Sequence, residues 1–245
     1  MSSDGRVLKR AGNGAAATGY EAGWFHTIPP ESRLLAPRFL GEEANHGGYA
    51  LEYLDYLTLA EYYTFGQLSA ETFPEVIAQL LEILRSRLWR PCELADIKER
   101  AEAIYLHKTL SRLGSWNRQD LLELSALDIN GKQTPGYRQL WDAARPLVDE
   151  LIRTSNNFGS TVHGDLSFGN ILYSPRSGIF RLLDPRGDFG APGSLGDIRY
   201  DGAKLRQCYH GYYDLIVADL FHVAEFRPGV FEFWVYPQGM PSVLT

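Results

Sequence analysis

One stretch of the chain has the residue types and spacing for chemistry on phosphate. His163-Gly164-Asp165-Leu166-Ser167-Phe168-Gly169-Asn170 fits the pattern H-x-D-x-x-x-x-N. A carboxylate at Asp165 can accept or orient the proton of an attacking hydroxyl, and the amide oxygen of Asn170 can bind a divalent metal. A second carboxylate must then bridge that metal to nucleotide phosphates. Asp184 follows Asn170 by 14 residues, enough for a tight hairpin to return beside it. Magnesium uses a few protein oxygens together with phosphate oxygens, and this set supplies them. A literal D-F-G, Asp188-Phe189-Gly190, comes four residues later. The strand ends at Asp184, so Asp184 is the expected ligand and Asp188 a loop residue or a minor contributor. Each residue also has a plainer reading. Asp165 could be a turn or cap residue, Asn170 a turn former and His163 a buried core histidine.

The elements around these residues follow from local patterns. Asn170–Tyr173 and Gly178–Asp184 read as two strands joined by the turn Ser174-Pro175-Arg176-Ser177-Gly178. The chosen residues therefore sit at strand ends and in a loop, where a rigid scaffold usually places chemistry. Upstream, Arg6–Arg10 reads as a strand and Ala15–Ile28 as a helix stopped by Pro29-Pro30. Arg38–Gly41 and Gly48–Leu54 read as further strands, the second following the turn-rich Asn45-His46-Gly47-Gly48. From Leu57 on, periodic apolar residues predict helices over Leu59–Phe65, Ala70–Leu88, Leu94–Leu113, Gln119–Leu124 and Tyr137–Ser155. Asp128-Ile129-Asn130-Gly131-Lys132 is a turn. Strands with one helix first and a helical region second indicate an α+β fold in two parts, residues 1–54 and 55–245.

Composition narrows the classes. The 245 residues suffice for one or two domains with a core that needs no staples. With 44% hydrophobic and 22% charged residues the chain is not a disordered one. No apolar run is long enough for a membrane helix, and the first residues lack a signal-peptide core. The two cysteines, Cys92 and Cys208, form neither a disulfide framework nor a zinc motif, which suits a reducing, cytoplasmic setting. A net charge of −6 argues against nucleic acid as a partner and leaves a cationic ligand open.

His163–Asn170, the Asp184 hairpin and Gly196-Asp197-Ile198-Arg199-Tyr200-Asp201-Gly202-Ala203-Lys204-Leu205 resemble the aminoglycoside phosphotransferase/choline kinase-like family. The wording is close to a bacterial subset often found beside capsular polysaccharide genes. The resemblance implies a protein-kinase-like fold, ATP and Mg²⁺, and phosphoryl transfer to a hydroxyl of a small molecule. By the same resemblance Asp165 is the base, Asn170 and Asp184 are the metal ligands, His163 braces the loop, and Asp201 supports it from the next helix. Val7-Leu8-Lys9 resembles the V-A-x-K strand, which makes Lys9 the phosphate-holding lysine and Glu21 its partner. Ala50-Leu51-Glu52-Tyr53-Leu54 resembles the adenine-binding hinge, so Glu52 and Leu54 become nucleotide contacts. Plainer readings stand beside these: Lys9 as a solvated strand-edge lysine and Glu21 as a surface glutamate.

Two departures bear on function. Gly164, not Arg, follows His163, and no A-P-E occurs, which favours a small-molecule acceptor over a protein one. Lys9 also lies close to the start, where a strand–glycine-loop–strand hairpin would need roughly 15–20 residues before it. Gly12-Asn13-Gly14 comes after the lysine and cannot be that loop. The expectation is a truncated chain, a misassigned start or a missing nucleotide lid, with an incomplete N-terminal lobe and a mainly helical C-terminal one. A degenerate, non-catalytic scaffold is the alternative function. Tyr209, His210, Tyr212, Tyr213 and Trp234 could line an acceptor pocket or simply be core, and Arg186 could meet phosphate oxygens or a phosphorylated substrate.

Overall fold

The structure, a computed structural model, describes residues 5–10, 15–43, 48–66, 68–69, 71–155 and 158–236. Gly12-Asn13-Gly14, Asn45-His46-Gly47 and the segment from Pro237 to Thr245 lie outside the described residues.

The first element is strand β1 (Arg6–Lys9), followed by helix α1 (Ala15–Thr27), a 3₁₀ turn begun by Pro30, and strands β2 (Phe39–Glu43) and β3 (Gly48–Glu52). These strands form an antiparallel sheet in the order β1-β3-β2, with Lys9 opposite Tyr49. Helix α1 packs on β3 through Trp24, Phe25 and Tyr49, with Phe25 and Tyr49 rings 5.7 Å apart. Gly48 is required here, since any side chain would strike the Lys9 carbonyl.

Next come β4 (Leu57–Thr58), α2 (Leu59–Thr64) and α3 (Thr72–Ile83). Thr58 and Glu61 form a reciprocal capping box at the start of α2, which fixes where the helix begins. Helix α3 runs on into a π-turn over Leu84–Leu88, whose Leu84 and Leu88 are fully buried. Strand β5 (Pro91–Glu93) follows, and the helix expected over Leu94–Leu113 is then present as one continuous run, α4 (Ile97–Glu102), a π-turn (Ala103–His107) and α5 (Lys108–Gly114). The wider turn inserts a residue and rotates the face presented by α5 relative to α4.

Beyond it lie α6 (Gln119–Leu122), β6 (Ala126–Ile129), β7 (Lys132–Pro135) and α7 (Tyr137–Arg153). Asn130 and Gly131, both at positive φ, make the two-residue turn of the β6–β7 hairpin. Strand β8 (Phe158–Thr161) leads into the His163–Asn170 loop, then β9 (Ile171–Ser174) and β10 (Ile179–Leu182) form the expected hairpin. The chain closes with β11 (Leu195–Gly196), α8 (Ile198–His210), α9 (Tyr213–Val217), β12 (Phe221–Arg227) and β13 (Val230–Val235). The last two pair as a hairpin and join β6 in parallel, giving the sheet β12-β13-β6-β7. The mainly helical reading of the second part therefore omits a four-stranded sheet. Its parallel β13–β6 pairing links residues about a hundred apart in sequence and has no local signature.

One continuous core runs from Trp24 and Tyr49 through Leu59, Leu80, Leu84 and Leu88 to Leu166, Phe168, Ile171 and Leu215. It joins the small sheet directly to the segments that carry the loop. Cys92 and Cys208 are free thiols. Among the described residues, no helix is long and apolar enough to cross a membrane.

Candidate active site

The His163–Asn170 loop is held from beneath by one carboxylate. Asp201, the fourth residue of α8, is wholly buried. It accepts the backbone N–H of His163 at 2.9 Å, that of Gly164 at 2.8 Å and the indole N–H of Trp89 at 3.0 Å. Burial pushes this carboxyl above its usual value against the pull of those donors. Asp197 caps α8 by accepting the Arg199 N–H, which sets the helix register and so the height of Asp201. His163 is buried against Trp24 and accepts the Asp165 N–H on Nδ1 at 3.3 Å. Burial lowers its pKa, so the ring is neutral and shapes the loop rather than moving protons.

Asp165 and Asn170 face each other across the loop. The Asn170 amide N–H₂ donates to the Asp165 carbonyl at 2.9 Å and reaches its carboxylate at 3.3 Å. That use of the nitrogen leaves the amide oxygen as the side chain's acceptor atom, available to ligate a metal. Leu183 N–H donates to the Asn170 carbonyl at 2.8 Å, so β10 does return beside Asn170 and delivers Asp184 there. Asp184 holds φ +52°, an uncommon conformation for a non-glycine residue. Two residues on, Arg186 N–H donates to the His163 carbonyl at 2.9 Å, fastening the hairpin exit to the loop. Gly187, at φ +64°, lies so close to α1 that an added Cβ would sit 1.9 Å from the Tyr20 carbonyl oxygen.

This contact brings the hairpin end to the N-terminal sheet. Lys9 Nζ lies 2.6 Å from Glu21 Oε2 and 3.0 Å from Asp184 Oδ1. Burial pulls the Lys9 ammonium down, but its bonds to Glu21 and Asp184 outweigh it and leave the pKa raised. Tyr49 donates its hydroxyl to Glu21 at 2.9 Å, orienting the carboxylate from the sheet side.

Lys9, Glu21, Asp165, Asn170 and Asp184 line one cleft of about 570 Å³. Glu52 and Leu54 do not line it. Glu52 is committed to strand pairing: its N–H donates to the Arg38 carbonyl at 3.0 Å, its carboxylate accepts the Arg38 N–H at 2.8 Å, and it borders a separate cavity beside Phe39. Asp188 also lines the cleft, while Phe189 of the D-F-G triplet is buried against Tyr105 and Tyr200. Of the five aromatic candidates only Tyr213 lines the cleft; Tyr209 stacks on Phe73 and Trp234 stands exposed on β13.

Four cations border the cleft that spacing alone did not single out as a group. Lys204 Nζ is 2.8 Å from Asp165 Oδ1. Lys108, Arg112 and Arg186 complete the set. Lys204 was findable, because it is three residues after Asp201 and a helix places such residues on one face. Lys108 and Arg112 were not, because the π-turn before them decides which way α5 faces.

The donor set fits a magnesium-like ion. Asn170 offers an amide oxygen and Asp184 the carboxylate oxygen not bound to Lys9. Among the described residues, no three His, Cys, Asp or Glu side chains are grouped so as to hold a metal by themselves, so such an ion would complete its shell with phosphate and water oxygens.

No protein-family model matches the chain, and no curated protein sequence matches it. Solved structures do. The aminoglycoside phosphotransferase of Streptomyces rimosus, in complex with ADP and streptomycin, is 19% identical with a TM-score of 0.50, over 85% of this chain and 73% of that one. A choline/ethanolamine kinase family protein from Mesorhizobium loti is 13% identical with a TM-score of 0.49, over 89% of this chain and 63% of that one. A glucosamine kinase in complex with glucosamine, ADP and inorganic phosphate is 17% identical with a TM-score of 0.45, over 86% of this chain and 54% of that one. The protein has an α+β, kinase-like fold.

Proposed function

We propose that the protein is a phosphotransferase that moves the γ-phosphoryl group of ATP to a hydroxyl of a small molecule. The observation that carries this is the convergence of Glu21 from α1 and Asp184 from the β10 end on Lys9 of β1, at 2.6 and 3.0 Å from its Nζ, beside Asp165 and Asn170. Three remote segments gain little stability from a part-exposed ion-pair group of this kind. A polyphosphate and its metal give the arrangement a purpose. The ADP in the Streptomyces rimosus structure supports nucleotide use.

In this reading residues 1–54 and 55–245 are the two lobes and the cleft between Lys9 and Asp165 is the reaction site. Lys9, held by Glu21, fixes the phosphates. Asn170 and Asp184 would hold Mg²⁺, which when bound would neutralise charge on the transferred group. Asp165 orients the acceptor hydroxyl and takes its proton as the oxygen bonds phosphorus and ADP departs. Lys204 steadies Asp165 and places positive charge where negative charge develops. Glu52 and Leu54 serve the nucleotide only if the adenine reaches the outer end of β3. The acceptor is a sugar, polyol, choline-type alcohol or aminoglycoside, and the resemblance to the polysaccharide-linked subset supports the first three.

Calorimetry with ATP, with and without Mg²⁺, tests the reading. Mg²⁺-dependent binding that is lost in Asp184→Ala is expected, as is turnover abolished in Asp165→Ala with nucleotide affinity retained. A folded protein that binds no nucleotide would return the non-catalytic scaffold. Unchanged metal dependence in Asp184→Ala would move the ligand role to Asp188.

A further inference from the structure

The charges of the cleft fall into two groups. At one end Lys9 interacts with Glu21 and Asp184. At the other, Lys108 has Arg186, Arg112, Lys204 and Asp165 as its charged neighbours. Only Lys204 in this second group has a carboxylate partner, Asp165. Among the described residues, Lys108, Arg112 and Arg186 form no ion pair, in a chain whose net charge is −6.

The three cations are positioned rather than scattered. Lys108 and Arg112 are four residues apart on α5 and so share a face. Arg186 crosses the loop where Gly164 has no side chain; an added Cβ there would meet the Arg186 Cβ at 2.7 Å. Its Nε donates to the Asp188 carbonyl at 2.6 Å, leaving the terminal nitrogens of the fork for another acceptor. Grouping like charges costs free energy unless something of opposite sign completes the group. Burial, then the neighbouring Arg186, Arg112 and Lys204, pull the Lys108 ammonium down to about 8.

We propose that the acceptor carries an oxyanion, best matched by a phosphate monoester, which Lys108, Arg112 and Arg186 bind while the acceptor hydroxyl lies at Asp165. The inference rests on the phosphotransferase reading and narrows it. An ammonium-bearing acceptor such as an amino sugar or a choline-type alcohol would meet three unpaired cations. A phosphorylated or carboxylated hydroxyl compound would pair with them. The nucleotide is the less suitable owner of these cations, because in the kinase reading its phosphates meet Lys9, which is bonded to Glu21 and Asp184, whereas Lys204 ties the second group to Asp165.

The test is calorimetric titration of the Mg·ADP-loaded protein with glucose 6-phosphate, glucuronate, glucose and glucosamine. The expected order of affinity is phosphate ester, then carboxylate, then neutral sugar, then amino sugar. Lys108→Ala and Arg112→Ala should each weaken glucose 6-phosphate by about tenfold, the usual worth of one charge-assisted hydrogen bond. Arg112 is exposed and Lys108 half-buried on α5, and Mg·ADP affinity measured alongside shows that each variant is folded. Glucosamine or glucose binding as tightly as the ester overturns the inference and leaves the kinase reading standing. So does an ester that fails to bind, or one that binds the two variants as well as wild type. Variants that lose Mg·ADP rather than the ester would reassign the cations to the nucleotide. Failure of the wild type to bind Mg·ADP overturns the kinase reading and this inference with it.

Discussion

Gly187 gives a sharp test of how the site is assembled. It holds φ +64° and approaches the backbone of α1 so closely that an alanine Cβ would lie 1.9 Å from the Tyr20 carbonyl oxygen and 2.8 Å from the Glu21 nitrogen. Contacts under 3.0 Å essentially do not occur for a real Cβ, so Gly187→Ala must move the hairpin exit away from α1 by at least 1.1 Å. The struck atoms are backbone and cannot swing aside. Gly178, in the β9–β10 turn, provides the control: it has the same φ of +64° and nothing within 4 Å of its ideal Cβ. Both variants carry the left-handed penalty of about 1–2 kcal/mol. Only Gly187→Ala adds an overpacking cost of about 1–3 kcal/mol. At roughly 2–4 °C per kcal/mol for a chain of this size, Gly178→Ala lowers Tm by about 2–8 °C and Gly187→Ala by about 4–20 °C. The second readout is decisive. Asp184 is three residues from Gly187, and a displacement of about 1 Å in a reacting constellation costs on the order of a hundredfold in rate. Mg·ATP affinity by calorimetry and turnover should both fall in Gly187→Ala and stay at wild-type level in Gly178→Ala. Equal affinity and turnover in the two folded variants would refute the argument that the Gly187–Tyr20 approach seats Asp184.

Other outcomes follow from the same geometry. Lys9→Met should change Tm by no more than about 1 kcal/mol's worth, since the ion pairs it breaks are part-exposed, yet weaken Mg·ATP binding about tenfold; a large Tm loss with intact binding would make the lysine structural. Trp89→Phe removes the indole donor to Asp201 and should cost about 1–3 kcal/mol, read as a fall in Tm; an unchanged Tm would show that the bond contributes nothing. Lys108 is charged in the unfolded chain up to about pH 10.5 but in the folded protein only up to about 8, so its burial cost is fully present below pH 8 and is relieved as pH rises toward 10. Lys108→Met should therefore melt above wild type at pH 7, with the gap closing by pH 10; parallel pH–Tm curves would contradict the depressed value.

The N-terminal elements and the loop region were legible because their signals are local. Pro29-Pro30 ends α1 within a residue or so of the expected place, and Gly178 marks the β9–β10 turn. The pairing of Asn170 with a residue 14 positions on needed only the length of a hairpin. What escaped was set by tertiary contact. Strands β12 and β13 take their place from β6, about a hundred residues earlier, and β12 exposes Val223 and Phe226, so no clean buried alternation marks it. The phase shifts at the two π-turns were invisible, since a π-turn keeps helical composition and changes only which way the following face points. The cationic end of the cleft was lost with that phase.

The helix that supports the loop also sets the charge beside its carboxylate. Asp201 and Lys204 are one turn apart on α8, the first holding the His163 and Gly164 N–H groups and the second bonded to Asp165. Backbone position and side-chain position of the loop are thus fixed from a single rigid element, whose register is in turn fixed by the Asp197 cap. The opposite wall is built differently. Arg186 and Gly187 reach the loop and α1 through places where a glycine leaves room, at Gly164 and at Gly187 itself. One wall is determined by hydrogen bonds to a buried carboxylate and the other by close backbone approach. Changes to Asp197 and Asp201 of this support should therefore act first on stability, whereas an added methyl at Gly187 should act on stability and on the distance from Asp184 to Lys9 together. That difference in response is a direct consequence of which atoms touch, and it separates the loop's support from the hairpin's placement.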